Sequence, residues 1–135
     1  MNQLIAALGS SLSALYGSGS VYFGDAEESA TYPYIVYSVQ NSGPAEYSTC
    51  SRGANAVRTT SFQISVWSTS SVTAGNMVEA IIIDLENNGL TMSSNTFYKT
   101  DAVDWTVFVD PDREQDGQRV WQGVAIVEFM WSKGE

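Results

Sequence analysis

A run of acidic residues in the last third of the chain has the spacing of a cation-binding loop. The run DPDREQDG over residues 110–117 places a carboxylate at every second position and closes on glycine. A calcium loop of the EF-hand type starting at Asp112 has Glu114 and Asp116 at its third and fifth positions and Gly117 at its sixth. Its twelfth position is then Gly123, where such a loop requires a bidentate glutamate, and no helix is predicted on either side. A solvated β-turn is the favoured interpretation, and a calcium- or sugar-binding β-rich module is the alternative.

Two further groups of carboxylates have the residue types used in glycoside cleavage. Asp101 and Asp104 form one group, and Asp25 with Glu27 and Glu28 forms the other. That reaction needs two carboxylates held a defined distance apart in a cleft. Nothing in the sequence sets such a distance, and acidic residues in loops are mostly solvated. A small hydrolase using these acids is therefore a hypothesis with little support.

The residues needed for other kinds of catalysis are missing. The chain has no histidine and one cysteine, Cys50, so no histidine can activate the thiol or a serine. No GxSxG turn is present, and Gly17-Ser-Gly19 is not part of a strand-to-helix phosphate loop. The sequence therefore predicts a protein that is not an enzyme and has no cofactor and no metal site.

Composition limits the class of protein and its partners. The 135 residues predict a single domain over 1–135, and 44% hydrophobic residues are enough for a packed core. Fifteen acidic and six basic side chains give a net charge of −9, which argues against binding DNA through its phosphates. No apolar run approaches the ~18 residues of a membrane span, so no membrane partner is expected.

One strand followed by one helix organises the predicted fold. In the stretch from Thr59 to Leu90, the apolar residues of the strand alternate with polar ones, giving one buried face: Phe62, Ile64 and Val66. The apolar residues of the helix recur at helical spacing: Ala74, Met77, Val78, Ile81 and Leu85. Ser70 or Ser71 can cap the start of the helix, and Gly89 can take the left-handed turn that ends it.

The remaining chain predicts one more helix and six more strand segments. The helix covers Asn2 to Tyr16, with a leucine stripe at Leu4, Leu8, Leu12 and Leu15. Strands are expected at 21–23, 32–39, 90–92, 96–98, 103–109 and 119–131, in addition to the organising one, with a long loop at 41–55 and a charged turn at 110–118. We take 90–92 and 96–98 as the two arms of one short hairpin. The predicted fold is α+β, an antiparallel or mixed sheet of about five or six strands packed on one face by two α-helices.

The predicted sheet has more apolar surface than two helices can cover. The last strand is apolar on both faces, and Ile83 lies opposite the apolar stripe of its helix. Exposed apolar patches usually mark contacts with another chain, and aromatic side chains dominate such contacts. The candidate subunit-interface residues are therefore Trp67, Ile83, Trp121, Phe129 and Trp131. If the last strand is central, however, both of its faces are internal and the excess disappears.

Four features together resemble a known family. They are the opening helix that ends near Tyr16, the strand TYPYIVYSV after an acidic loop, the strand-turn-helix unit TTSFQISVWSTSSVTAGNMVEAI closed by LENNGLTM, and a final strand RVWQGVAIVEF that follows the turn at 110–117. With this order of segments over nearly its whole length, the chain resembles the tail-terminator, or tail-completion, proteins of long-tailed bacteriophages, which belong to the head-to-tail connection.

The resemblance implies a structural protein of the virion neck or tail, assembled in the host cytoplasm. Such proteins are expected to form homo-oligomeric rings, commonly hexamers, that cap the tail tube protein and dock to the head-side connector or stopper protein. DNA would pass through the ring without specific binding, and an acidic lumen suits that passage. Candidates for the lumen are Asp110, Asp112, Glu114 and Asp116, or alternatively Asp25, Glu27 and Glu28. The long loop before Arg58 departs from the family pattern, so a stopper, adaptor or minor tail protein is the alternative.

Overall fold

The computed structural model describes residues 2–26, 31–44, 57–92, 95–115 and 117–133. Within them lie two α-helices, one 3-10 turn and five strands. In chain order these are α1 (Asn2–Tyr16), the 3-10 turn Ser18–Ser20, β1 (Val21–Phe23), β2 (Tyr34–Pro44), β3 (Val57–Ser68), α2 (Ser71–Asn88), β4 (Asn95–Gln115) and β5 (Gln118–Lys133).

The described strands form one mixed sheet in the order β1-β2-β3-β5-β4. β1 pairs with β2 in parallel, and every other pair is antiparallel. The last strand therefore lies between β3 and β4, while β1 and β4 form the two edges. The predicted α+β class, with a mixed sheet packed by two helices, is confirmed.

α1 covers the β1–β2 side of the sheet. Its leucines Leu4, Leu8 and Leu12 are fully buried, whereas Leu15, the last of the predicted stripe, is exposed. The Tyr37 hydroxyl of β2 donates to the Ile5 carbonyl oxygen at 3.3 Å, and Gly9 leaves the room that this hydroxyl needs. Burial raises the pKa of the Tyr37 phenol above its ordinary value of 10.0. The helix is thus held to β2 by both apolar packing and one hydrogen bond.

α2 covers β3, β5 and β4. It begins where the Ser70 hydroxyl accepts from the Thr73 backbone N–H at 3.3 Å, and it ends at Gly89, whose φ is 63°. Both predicted ends are confirmed, and so is the predicted apolar stripe, which is buried and gains Ile82. On the side facing α1, the Tyr16 hydroxyl donates to the Met77 carbonyl oxygen at 3.5 Å.

β5 approaches α2 closely because a glycine lies at the contact. A Cβ placed on Gly123 would lie 2.5 Å from Val78 Cγ2 and 3.2 Å from the Ala74 carbonyl oxygen. At the same end of the helix, a Cβ on Gly75 would lie 3.8 Å from Val107 Cγ2 of β4. The absence of a side chain at Gly123 therefore sets how near the helix lies to the sheet.

The C-terminal half contains fewer and longer strands than predicted. Residues 90–92 are not in a strand, so the predicted hairpin between 90–92 and 96–98 is wrong. The segments expected at 96–98 and 103–109 are parts of one strand, β4, whose pairing with β5 shifts register near Phe97, Ala102 and Asp110. β4 also continues to Gln115, so the charged turn expected over 110–118 is much shorter. Bulges allow one long strand to continue where the spacing of its apolar residues is irregular. In the sequence, the same irregular spacing suggested the ends of separate strands.

Candidate assembly interface

Trp67, a predicted interface residue, is half-buried and has two partners within its own subunit. Its ring stacks on Tyr34 of β2, with centroids 5.2 Å apart and planes at 25°. Its indole Nε1 donates to Asp110 Oδ2 of β4 at 3.3 Å. Tyr34 also contacts the Tyr22 and Tyr32 rings at 6.2 and 5.3 Å. Trp67 therefore joins β2, β3 and β4 on the face of the sheet opposite the helices.

The last strand is not the exposed apolar surface that the sequence suggested. Phe129 is fully buried, with its ring 5.6 Å from that of Phe62, and Trp131 is buried with its Nε1 donating to Thr60 Oγ1 at 2.9 Å. Trp121 is half-buried. The expected exposure of Phe129 and Trp131 is wrong because β5 lies inside the sheet, where α2 covers this face.

Ile83 does lie on the surface, as expected. Its side chain is 50% exposed on α2, on the side opposite the buried stripe. The sequence analysis missed other exposed apolar residues, of which Trp105 on β4 is the largest at 56% exposure. Its alternation with polar neighbours predicted a half-buried strand, and no signal in the sequence places that strand at an edge. Large exposed side chains among the described residues are Leu15, Phe23, Val39, Val72, Ile83, Val103, Trp105 and Phe108.

The acidic lumen candidates fall in different parts of the structure. Asp25 follows β1 and is exposed, with Oδ1 accepting from the Ala26 backbone N–H at 2.9 Å. Asp110 lies on β4, the opposite edge strand, and is half-buried beside Trp67. The other candidates lie outside the described residues or have side chains outside them: Glu27, Glu28, Asp112, Glu114 and Asp116. Asp25 and Asp110, the described members of the two predicted acidic groups, therefore lie near opposite edges of the sheet within one subunit.

The carboxylates considered for catalysis lie on an exposed edge. Asp101 forms an ion pair with Lys99, Nζ to Oδ2 3.1 Å, and both side chains are more than half exposed. Asp104 is exposed on the same strand. Such surface pairs contribute little energy and are screened by salt. Among the described residues, no group of three or more cysteines, aspartates and glutamates is arranged to hold a metal ion.

The described part of the chain contains no helix long and apolar enough to cross a membrane. The described surface carries exposed apolar and acidic side chains, both of which are suited to contacts with other macromolecules.

Comparison with known proteins agrees with this description. The family model "Tail completion protein gp17" matches residues 2–129. Among solved structures, a chain from a "Virion of native gene transfer agent (GTA) particle" superposes with a TM-score of 0.66 at 18% identity. The alignment covers 97% of this chain and 96% of that chain, so the two share a fold over their whole length. No curated protein matches the sequence. The chain therefore belongs to the tail completion protein gp17 family and is a structural protein of the tail or neck of a phage-type virion.

Proposed function

We propose that the protein is a tail terminator that forms a homo-oligomeric ring, most simply a hexamer, on the end of the tail tube. The ring caps the tail tube protein and then docks to the head-side connector. The observation that carries the proposal is the family match over residues 2–129, nearly the full chain. A structural protein with this role requires protein–protein surfaces rather than a cleft.

Exposed apolar side chains support assembly. Trp105, Phe23 and Ile83 are each about half exposed in the single chain, and Trp105 and Phe23 lie on different edge strands. Scattered apolar residues are normal on a surface, but large aromatic ones are the side chains that dominate protein interfaces. The proposed interface includes Ile83, with the half-buried Trp67 and Trp121 at its margin. Phe129 and Trp131 offer little area because they pack inside their own subunit.

The charge of the chain supports passage of DNA through the ring. A net charge of −9 repels phosphate, so DNA can slide past without being held. We propose that Asp25 or Asp110, with the acidic residues near each of them in sequence, faces the lumen. In virions with rings of normal appearance, Asp25→Lys is then expected to slow DNA delivery, while Asp84→Lys, a surface acid on the side of α2 away from β4, is the matched control. Equal delivery by the two variants would remove Asp25 from the lumen.

Electron microscopy of tail tubes tests the ring directly. Purified protein is mixed with tubes that lack it, and class averages are made of tube ends. We expect a ring of six subunits at one end of each tube. Binding to the head-side connector without binding to tubes would instead indicate a stopper or adaptor. If the protein binds neither structure and stays monomeric when concentrated, the proposal fails.

A further inference from the structure

Two apolar surfaces lie at opposite edges of the sheet. The first, the β4-edge surface, consists of Val103 and Trp105 on β4 with Val72 and Ile83 on α2. The second, the β1-edge surface, consists of Phe23 on β1 and Val39 on β2. All six side chains are exposed, Trp105 by 56% and Phe23 by 49%. Because β1 and β4 end the strand order, the two surfaces are four inter-strand spacings apart, about 19 Å.

The β4-edge surface includes residues of both the edge strand and the neighbouring helix. Val107 faces α2, since a Cβ on Gly75 would lie 3.8 Å from its Cγ2, and Trp105 shares that face two residues earlier. Val72 and Ile83 are three residues before and eight after Gly75, which places them on the same side of α2. That side is turned away from α1, which contacts α2 through Met77. Trp105 therefore lies on the face of the sheet that α2 covers, whereas Val72 and Ile83 lie on the outer side of α2, away from its buried stripe.

The β1-edge surface is built on Tyr37. Phe23 pairs with Tyr37 in the parallel register, and the two rings meet edge to face with centroids 5.1 Å apart. Val39 follows Tyr37 by two residues and lies on the same face of β2. The ring contact orients Phe23 while leaving about half of it exposed. This edge thus presents a fixed aromatic side chain next to a short edge strand.

Charge differs between the two surfaces. Around the β4-edge surface lie the exposed acids Glu79 and Glu86 of α2 and Asp101 and Asp104 of β4, with Lys99 paired to Asp101. In the described residues 2–26 and 31–44, by contrast, Asp25 is the only charged side chain. Two β4-edge surfaces brought together would oppose acid to acid, which is unfavourable. The β1-edge surface is followed in sequence by three acids, Asp25, Glu27 and Glu28, fewer than the four around the β4-edge surface. It is therefore the less unfavourable partner for the acidic edge.

We infer that the β4-edge surface of one subunit binds the β1-edge surface of a second copy of this chain. The contact joins different surfaces, and a head-to-tail contact of this kind closes into a ring when its rotation permits. Edge strands also offer backbone N–H and C=O groups to an approaching chain, which adds hydrogen bonds to the apolar contact. The inference rests on the proposed ring and specifies which surfaces make it.

Cross-linking tests the pairing of surfaces. In a Cys50→Ser background, Asp25→Cys near Phe23 and Asp104→Cys beside Trp105 are made singly and together, so that both aromatic side chains stay in place. Each protein is treated with a short bis-maleimide. We expect the double variant to give a ladder of covalent multimers, because each copy can react at both edges, and the ~19 Å width of the sheet prevents a short linker from joining its own two sites. Each single variant is expected to stay monomeric. A double variant without multimers, or single variants that dimerise equally well, would overturn the inference.

A charge placed in each surface provides the second test. Trp105→Asp and Phe23→Asp are each expected to weaken self-association at least ~30-fold, the effect of losing one central aromatic contact. Mixed together, they are expected to form one-to-one dimers, since each retains the surface that the other lacks. Phe108→Asp is the matched control: Phe108 is 42% exposed on β4 but alternates with Val107 and so lies on the other face.

The outcomes separate the inference from the proposed function. Rings on tail tubes that persist in both Trp105→Asp and Phe23→Asp would overturn the edge-to-edge contact and leave the ring standing. Wild-type protein that forms no ring on tubes would overturn the proposed function itself. Circular dichroism and thermal unfolding of each variant, matched to wild type, ensure that loss of assembly is not loss of fold.

Discussion

Substitution of Gly123 by alanine tests how α2 packs on the sheet. The added Cβ would lie 2.5 Å from Val78 Cγ2 and 3.2 Å from the Ala74 carbonyl oxygen. An ordinary carbon–carbon contact is ~3.5–4.0 Å, so the first distance is short by about 1 Å. The second obstacle is backbone and cannot rotate away. We therefore expect Gly123→Ala to push α2 from β5.

The expected change in the free energy of unfolding of Gly123→Ala is the difference between two opposing effects. Overpacking a well-packed core costs about 1–3 kcal/mol. Replacing glycine lowers the entropy of the unfolded chain, which returns about 0.4–1 kcal/mol. The expected net loss in free energy of unfolding is about 1–2 kcal/mol, or a fall in Tm of about 3–10 °C for a domain of this size. Urea unfolding at a fixed protein concentration measures it, since assembly also changes apparent stability.

Two further variants make the test specific. Gly75→Ala is the matched control, because its Cβ would make only an ordinary 3.8 Å contact with Val107 and alanine favours the helix by about 1 kcal/mol. Val78→Ala removes the methyl group that Gly123→Ala meets, so the double variant should lose less than the sum of the single losses. If Gly123→Ala is as stable as wild type, or if the losses simply add, α2 does not lie as close to β5 as described.

Three other predictions concern single hydrogen bonds or pH. Thr60→Val removes the acceptor of the buried Trp131 indole N–H and should cost about 1–3 kcal/mol by urea unfolding, whereas Thr60→Ser, which keeps the hydroxyl, should retain this hydrogen bond. Ser70→Ala removes the cap of α2 and should cost about 1 kcal/mol, while Ser71→Ala, one residue later and exposed, should change little; equal losses would contradict the assignment of the cap. Burial raises the pKa of Tyr37 in the folded state above 10.0, its ordinary value, so the unfolded chain loses the phenolic proton at a lower pH than the folded chain. The free energy of unfolding should therefore keep its full value below pH 10 and fall as pH rises through the pKa of the folded state. In Tyr37→Phe, the urea midpoint should fall less steeply with pH above 10 than it does in the wild-type protein. An unchanged slope would refute the role of this phenol.

The sequence determined which segments are helical and which face each buries. The caps at Ser70 and Gly89 and the alternation of Phe62, Ile64 and Val66 are local patterns, and the structure confirms them. The short strand 21–23 was also predicted, and it is β1. Family membership followed from the order of such segments. In each case the physical cause acts over a few residues and so leaves a mark in the sequence.

Only the tertiary structure decided which apolar residues are left exposed. Trp131 and Trp105 both lie in strands that the sequence predicted, yet one is buried and the other is 56% exposed. The difference is the position of the strand: β5 is flanked by β3 and β4 and covered by α2, whereas β4 borders a single strand. Strand order depends on pairings between residues far apart in the chain, such as Phe62 with Val127. A pattern with a period of two residues describes the two faces of a strand and contains no information about its neighbours.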